Sequence, residues 1–219
     1  MSIEGSITAL VTPMNEKGDL DYNSLEKLIN FQIDSGISGL VAVGTTGESA
    51  TIDFEDHIKL IEFFIKISNG RVHIIAGTGA NSTEEALHLT REAKNLGADA
   101  ALLVSPYYNK PPQEGIYRHH AKIADEVDIP QILYNVPSRT ASFIEPETVK
   151  RLSSHQNIIG IKDATGDMKN LSEVLKLCEE EIKNKNFFLY SGDDFSFLEF
   201  LKGGGHGTIS VTSNVVPEI

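Results

Sequence analysis

Lys162 closes the run Asn157-Ile158-Ile159-Gly160-Ile161 and is followed at once by Asp163, Ala164, Thr165 and Gly166. An amine in that setting sits where a strand hands over to a loop. Kept out of water, it loses part of its preference for the charged form, and a neutral amine attacks a carbonyl to form an imine. The plain alternative is a solvated lysine punctuating a strand end. Two further tools stand at the end of another apolar run, Tyr134 and, five residues on, Arg139. A phenol relays protons, and a guanidinium fork matches a carboxylate. Gly44-Thr45-Thr46-Gly47-Glu48 offers backbone N–H groups and hydroxyls that suit a small anion.

Competing chemistries lack their residues. The seven histidines, at 57, 73, 88, 119, 120, 155 and 206, form no His-x-x-x-His or Glu-x-x-His pair, so no metal site is expected. His119 and His120 are neighbours on a helix and should point to different sides. No Gly-x-Ser-x-Gly elbow is present. Cys178 is the only cysteine and falls in a helical pattern, which makes it a packed thiol. Gly203-Gly204-Gly205-His206-Gly207 precedes a strand and reads as a tight turn, not a phosphate loop.

These groups need elements to hold them. Strands are expected at Ser6 to Val11, Gly39 to Val43, His73 to Ala76, Ala101 to Val104, Gln131 to Tyr134, Ile158 to Lys162, Phe187 to Tyr190 and Thr208 to Val211. Helical periodicity fills 22 to 35, 54 to 68, 83 to 96, 114 to 126, 146 to 153, 168 to 180 and 194 to 202. Ser82 to Glu85 reads as a capping box, Pro146 suits a first helical position, and Gly36 and Gly97 suit helix stops. In the second helix Ile58, Ile61 and Ile65, with Leu60 and Phe64, make a stripe that lies on a sheet. The alternation predicts a (β/α)8 TIM barrel as a single domain over 1 to 219, with an open Rossmann-like sheet as runner-up. No Gly-x-Gly-x-x-Gly follows the first strand, which weakens that alternative. In a barrel, loops after strands form the active-site face, and Lys162, Tyr134, Tyr108 and the Gly44 loop all fall there. Ile158, Gly160 and Lys162 should share one strand face, with Gly160 leaving space below the lysine.

The 219 residues include 40% apolar side chains, with 31 acidic against 19 basic groups and a formal charge of -12. No basic stretch suits a phosphate backbone, so nucleic acid is not an expected partner. No apolar run is long enough for a membrane span, and the start, Met1 to Ala9, lacks a signal-peptide pattern. A cytoplasmic protein is expected. The sequence stops just past the eighth strand, so the barrel is expected without its eighth helix, with an apolar flank on strands one and eight either covered by another chain or exposed in a fragment.

The motifs Gly44-Thr45-Thr46-Gly47-Glu48, Tyr107-Tyr108-Asn109, Leu133-Tyr134-Asn135-Val136-Pro137, Arg139 and Gly160-Ile161-Lys162-Asp163, in this order, resemble the 4-hydroxy-tetrahydrodipicolinate synthase family over residues 3 to 216. The resemblance implies a lyase of lysine and diaminopimelate biosynthesis that condenses pyruvate with L-aspartate 4-semialdehyde, with no cofactor beyond a lysine imine. It implies that Lys162 holds pyruvate, that Tyr134 relays protons with Thr46 and Tyr108, and that Tyr108 comes from a neighbouring subunit of a homotetramer built as a dimer of dimers. It further implies Arg139 for the semialdehyde carboxylate, Thr45 and Thr46 for the pyruvate carboxylate, and Gly192 and Ile209 as pocket walls. Ser49, Ala50, His57, Asn81, Glu85 and Tyr107 match a lysine effector site, where Phe54 replaces a histidine found in some lysine-sensitive members. Family members continue past this length with the last helix and a small helical domain. Alternatives are a pyruvate aldolase for N-acetylneuraminate or keto-deoxy sugar acids, an inactive barrel fragment serving assembly, or an amino-acid sensor without catalysis.

Overall fold

The computed structural model describes residues 3–218; Met1, Ser2 and Ile219 lie outside the described residues. Eight parallel strands close into a barrel in sequence order: β1 (Gly5–Ala9), β2 (Gly39–Ala42), β3 (His73–Gly77), β4 (Ala100–Val104), β5 (Gln131–Asn135), β6 (Ile158–Asp163), β7 (Phe188–Ser191) and β8 (Gly207–Ser210). The pairing of β1 with β8, Ile7 opposite Ile209, excludes the open sheet. All eight expected strands are present, with ends moved by one or two residues.

The helices are α1 (Tyr22–Asp34), α2 (Phe54–Ser68), α3 (Thr83–Leu96), α4 (Gln113–Glu126), α5 (Pro137–Thr140), α6 (Pro146–Ser153), α7 (Met168–Leu177), α8 (Glu179–Lys183) and α9 (Phe197–Lys202). Capping fixes several starts: the Asp21 carboxylate accepts from the Ser24 N–H, and the Ser82 hydroxyl from the Glu85 N–H. Pro146 occupies the first turn of α6, and Gly97 ends α3 with φ +94°. The helix expected over 168 to 180 breaks at Cys178, which is buried among α7 and β7 residues. The helix expected from 194 starts only at Phe197, because residues 192–196 turn around Asp193 and Asp194. On α2 the fully buried line is Leu60, Ile61 and Phe64, with Ile58 and Ile65 at its margins. Each such apolar side chain contributes about 1.5–3 kcal/mol by leaving water.

Alternation sorts the strand residues. Ile7, Ala9, Val41, Ile75, Leu102, Ile132, Tyr134, Phe188, Tyr190 and Ile209 fill the barrel interior, while Leu40, Ile74, Leu103, Leu133, Ile161 and Leu189 face the helices. β6 departs from the expected alternation. Gln131 pairs with Ile158 but Ile132 with Gly160, so Ile159 is an extra residue in the strand. The bulge sends Ile158 to the helix side and Ile159 inward, so Ile158 does not share a face with Lys162. Nor is there space beneath the lysine. A Cβ on Gly160 would lie 2.5 Å from the Phe188 carbonyl oxygen and 3.2 Å from Tyr190 Cε2, because the Tyr190 ring fills that level.

After β8 the described residues hold a one-turn 3-10 helix, Thr212–Asn214, and no α-helix. Its residues bind the seam: the Asn214 amide donates to the Ala9 carbonyl at 2.8 Å, and Gln32 of α1 donates to the Ser213 carbonyl at 2.8 Å while accepting from Thr8 at 2.6 Å. Val11, Val211, Val215 and Val216, following β1 and β8, are exposed. Among the described residues no helix is long and apolar enough to cross a membrane, and no cluster of three His, Cys, Asp or Glu side chains could hold a metal. His119 and His120 are both buried beneath α4, their rings edge to face at 5.0 Å, with His119 Nδ1 2.8 Å from the Thr83 hydroxyl.

Candidate active site

Lys162 is next to last on β6, faces the interior, and is 4% exposed. Its register neighbours are Tyr134 on β5 and Tyr190 on β7. The amine lies 4.4 Å from the centre of the Tyr134 ring. Burial lowers its pKa to about 8, with the Asp194 carboxylate resisting that fall and the Arg139 guanidinium adding to it. About half of an amine with that pKa is neutral near pH 8, against well under one part in a hundred for an ordinary lysine. Gly192 makes room for the lysine stem: a Cβ there would stand 2.8 Å from Lys162 Cε and 2.9 Å from the Ala164 methyl.

Tyr134 is 6% exposed. Burial raises the pKa of its phenol, while Arg139 and a hydrogen bond with the Thr45 side chain pull it back. The partner hydroxyl on the Tyr134 phenol is therefore that of Thr45, where the resemblance implied Thr46. Thr45 and Thr46 stand in a turn closed by the Glu48 N–H on the Thr45 carbonyl, and Thr45 shares a small cleft with Tyr134, Val43, Gly44 and Ser49 that Thr46 does not line. The loop is set at a strained turn. Val43, a β-branched residue at the end of β2, has φ +54°, and Glu48 has φ +59°. Thr12 fastens it from β1's side by donating to the Gly47 carbonyl at 2.7 Å. Inside the loop, Glu48 N–H donates to Thr45 and Ser49 N–H to Gly44, and the Thr45 and Thr46 N–H groups take no part in these bonds.

Arg139 sits on α5, a single turn too short for helical periodicity to reveal, with Pro137 at its first position. The guanidinium is exposed at the mouth of a cavity of about 350 Å³ whose walls include Thr45, Ser49, His57, Glu85, Tyr107 and Arg139. This cavity does not reach Lys162; Thr45 borders both it and the Tyr134 cleft. Of the expected effector positions, Ala50 also lines the cavity, whereas Asn81 does not. The His57 Nε2–H donates to the Gly77 carbonyl at 2.7 Å, and burial lowers the ring's pKa, which keeps it neutral. Phe54 lines the same cavity and packs edge-on against His88.

Tyr108 is not part of this cluster within the chain. It is 88% exposed, with φ +75°, in a three-residue turn closed by Asn109 N–H donating to the Tyr107 carbonyl at 2.9 Å. Ile209 is fully buried in the barrel interior. Asp194, in the β7 loop, was not singled out by sequence reasoning; the signal was Ser191-Gly192-Asp193-Asp194 following a strand on the active-site face.

The model of the Dihydrodipicolinate synthetase family matches residues 2–219. The 4-hydroxy-tetrahydrodipicolinate synthase of Alcanivorax borkumensis is 55% identical over 98% of this chain and 71% of its own length. The chloride-inhibited dihydrodipicolinate synthase of Acinetobacter baumannii, solved with pyruvate, superposes with a TM-score of 0.94 at 50% identity, covering 99% of this chain and 73% of that one. The Cyanidioschyzon merolae enzyme with lysine bound gives a TM-score of 0.91 at 37% identity, covering 99% and 72%.

Proposed function

The chain belongs to the dihydrodipicolinate synthetase family, and on that premise we propose that Lys162 carries pyruvate through a condensation with L-aspartate 4-semialdehyde, in the cytoplasm and without a cofactor. The reading rests on one observation above all: a buried amine with a pKa of about 8 set 4.4 Å from a buried tyrosine ring. The neutral amine adds to the pyruvate carbonyl carbon, two protons go to the departing oxygen, and water leaves as the C=N bond forms. The cationic imine withdraws electrons, so a methyl proton is lost and the resulting enamine attacks the aldehyde carbon. The new alkoxide takes up a proton. The semialdehyde's amine then adds to the imine carbon and displaces Lys162 as the ring closes.

Tyr134 moves the protons, with the Thr45 hydroxyl as its partner. The free N–H groups of Thr45 and Thr46 suit the pyruvate carboxylate, and Gly192 and Ile209 border the bound keto acid. Arg139, exposed at the mouth, suits the carboxylate of the second substrate. Tyr108 points away from its own chain and completes the relay in a second copy of a homo-oligomer. The cavity beside Ser49, Ala50, His57, Glu85 and Tyr107 suits an amino-acid effector, for which lysine, found bound in the Cyanidioschyzon merolae relative, is the candidate.

Offering the protein pyruvate with aspartate semialdehyde, and separately N-acetylneuraminate or a keto-deoxy sugar acid, tests the substrate assignment. Condensation of the first pair without cleavage of the others is expected; cleavage of a sugar acid without condensation would reassign it. Added lysine should reduce the same rate, and an unchanged rate at saturating lysine removes the effector role.

A further inference from the structure

Two adjacent aspartates in the β7 loop have different partners. Asp193 serves its own loop: Oδ2 accepts from the Ser196 N–H at 3.0 Å and the Ser196 hydroxyl at 2.6 Å. Asp194 reaches across to the loop after β8. Its Oδ2 accepts from the Val211 N–H at 3.0 Å, the Thr212 N–H at 2.8 Å and the Thr212 hydroxyl at 2.9 Å. The Ser210 hydroxyl adds to the same group. Those residues lead into the one-turn helix whose Ser213 and Asn214 bind α1 and β1 across the barrel seam. One carboxylate thus ties the loop after β7 to the segment that closes the barrel.

The same carboxylate stands two residues beyond Gly192, against which the Lys162 stem lies. The Tyr134 ring lies 4.4 Å from the amine, Tyr190 is its register neighbour on β7, and the charged groups that act on it are the Asp194 carboxylate and, with the opposite sign, the Arg139 guanidinium. Asp163, next to the lysine in sequence, is turned away and accepts from Thr165 and Asn170. Asp194 is therefore the anion set against Arg139 at this amine.

Building on the imine chemistry above, we infer that Asp194 is a positioning residue for it, holding the β8 loop over the barrel mouth and supplying the counter-charge to the Lys162 amine and to the cationic imine that replaces it. A single group in both tasks makes closure of the β8 loop and the charge balance of the nucleophile one event. An oppositely charged group near a buried amine favours its protonated form, so removing the anion frees the amine at lower pH and leaves the cationic imine less well supported.

The test measures the rate of pyruvate imine formation against pH by borohydride quenching. In Asp194→Asn the acid-side midpoint should move down by about half a unit to one unit, with a lower plateau for the complete condensation. Asp194→Glu keeps the charge and Thr212→Val removes only a donor, so both should retain the parent midpoint. If Asp194→Asn does not fold, Asp194→Ser, which keeps an acceptor for the loop, carries the same expectation. An unshifted midpoint in the neutral variant, or an equal shift in Thr212→Val, overturns the inference. A parent protein that forms no imine at all would instead overturn the reading it rests on.

Discussion

Lys162→Met should lose imine formation and roughly 10³-fold or more of its turnover, yet unfold at a higher temperature than the parent at pH 7. Methionine keeps the unbranched stem that lies against Gly192 and the Tyr134 ring but removes the amine. On folding, the amine's pKa falls from 10.5 to about 8. Between those values the unfolded chain binds the proton that the folded chain has released, so stability rises with pH across that window. Below about 8 the buried amine opposes folding by an amount of order 1–3 kcal/mol, and methionine removes this cost. The stability advantage should be largest at neutral pH and shrink as the pH climbs from about 8 toward 10.5. Thermal unfolding at several pH values, beside a turnover assay, reads both halves. A variant that keeps turnover, or is less stable than the parent at pH 7, contradicts the site's assignment.

Tyr134→Phe should lower turnover by roughly 10²–10⁴-fold, the range for a lost proton-transfer group, while leaving the protein folded. The ring that faces the amine is retained, and the buried hydroxyl is removed. Because Thr45 is the partner of that hydroxyl, Thr45→Val should slow imine formation more than Thr46→Val does. Rapid mixing with pyruvate separates this step from the later condensation. A larger loss in Thr46→Val would restore the relay that the resemblance implied.

That difference shows where sequence reasoning stops. Strand order and the placing of Lys162 on the active-site face follow from the count of alternating strands and helices, because catalytic groups of a parallel barrel come from strand C-termini. The choice between two adjacent threonines does not, since it depends on the strained turn at Val43, which no residue type announces. The bulge at Ile159 was equally hidden: a run of isoleucines reads the same with or without one extra residue. So was the Tyr190 ring, which occupies the level beneath the lysine, a consequence of packing between β6 and β7 rather than of either strand alone. The role of α5 was only half hidden, since Pro137 signalled a helix start in a segment too short for periodicity to show. Asp194 lay in plain view as one of two acidic residues, but only the cross-loop bonds to Val211 and Thr212 distinguish it from Asp193.

The central claim is that Lys162 is the amine that binds pyruvate. Incubating the protein with pyruvate and borohydride, then mapping the modified peptide by mass spectrometry, tests it most directly. One reduced pyruvate unit on Lys162, absent from Lys162→Met and from samples without pyruvate, is the predicted result. A folded protein that carries no adduct, or carries it on a different lysine, would contradict the account.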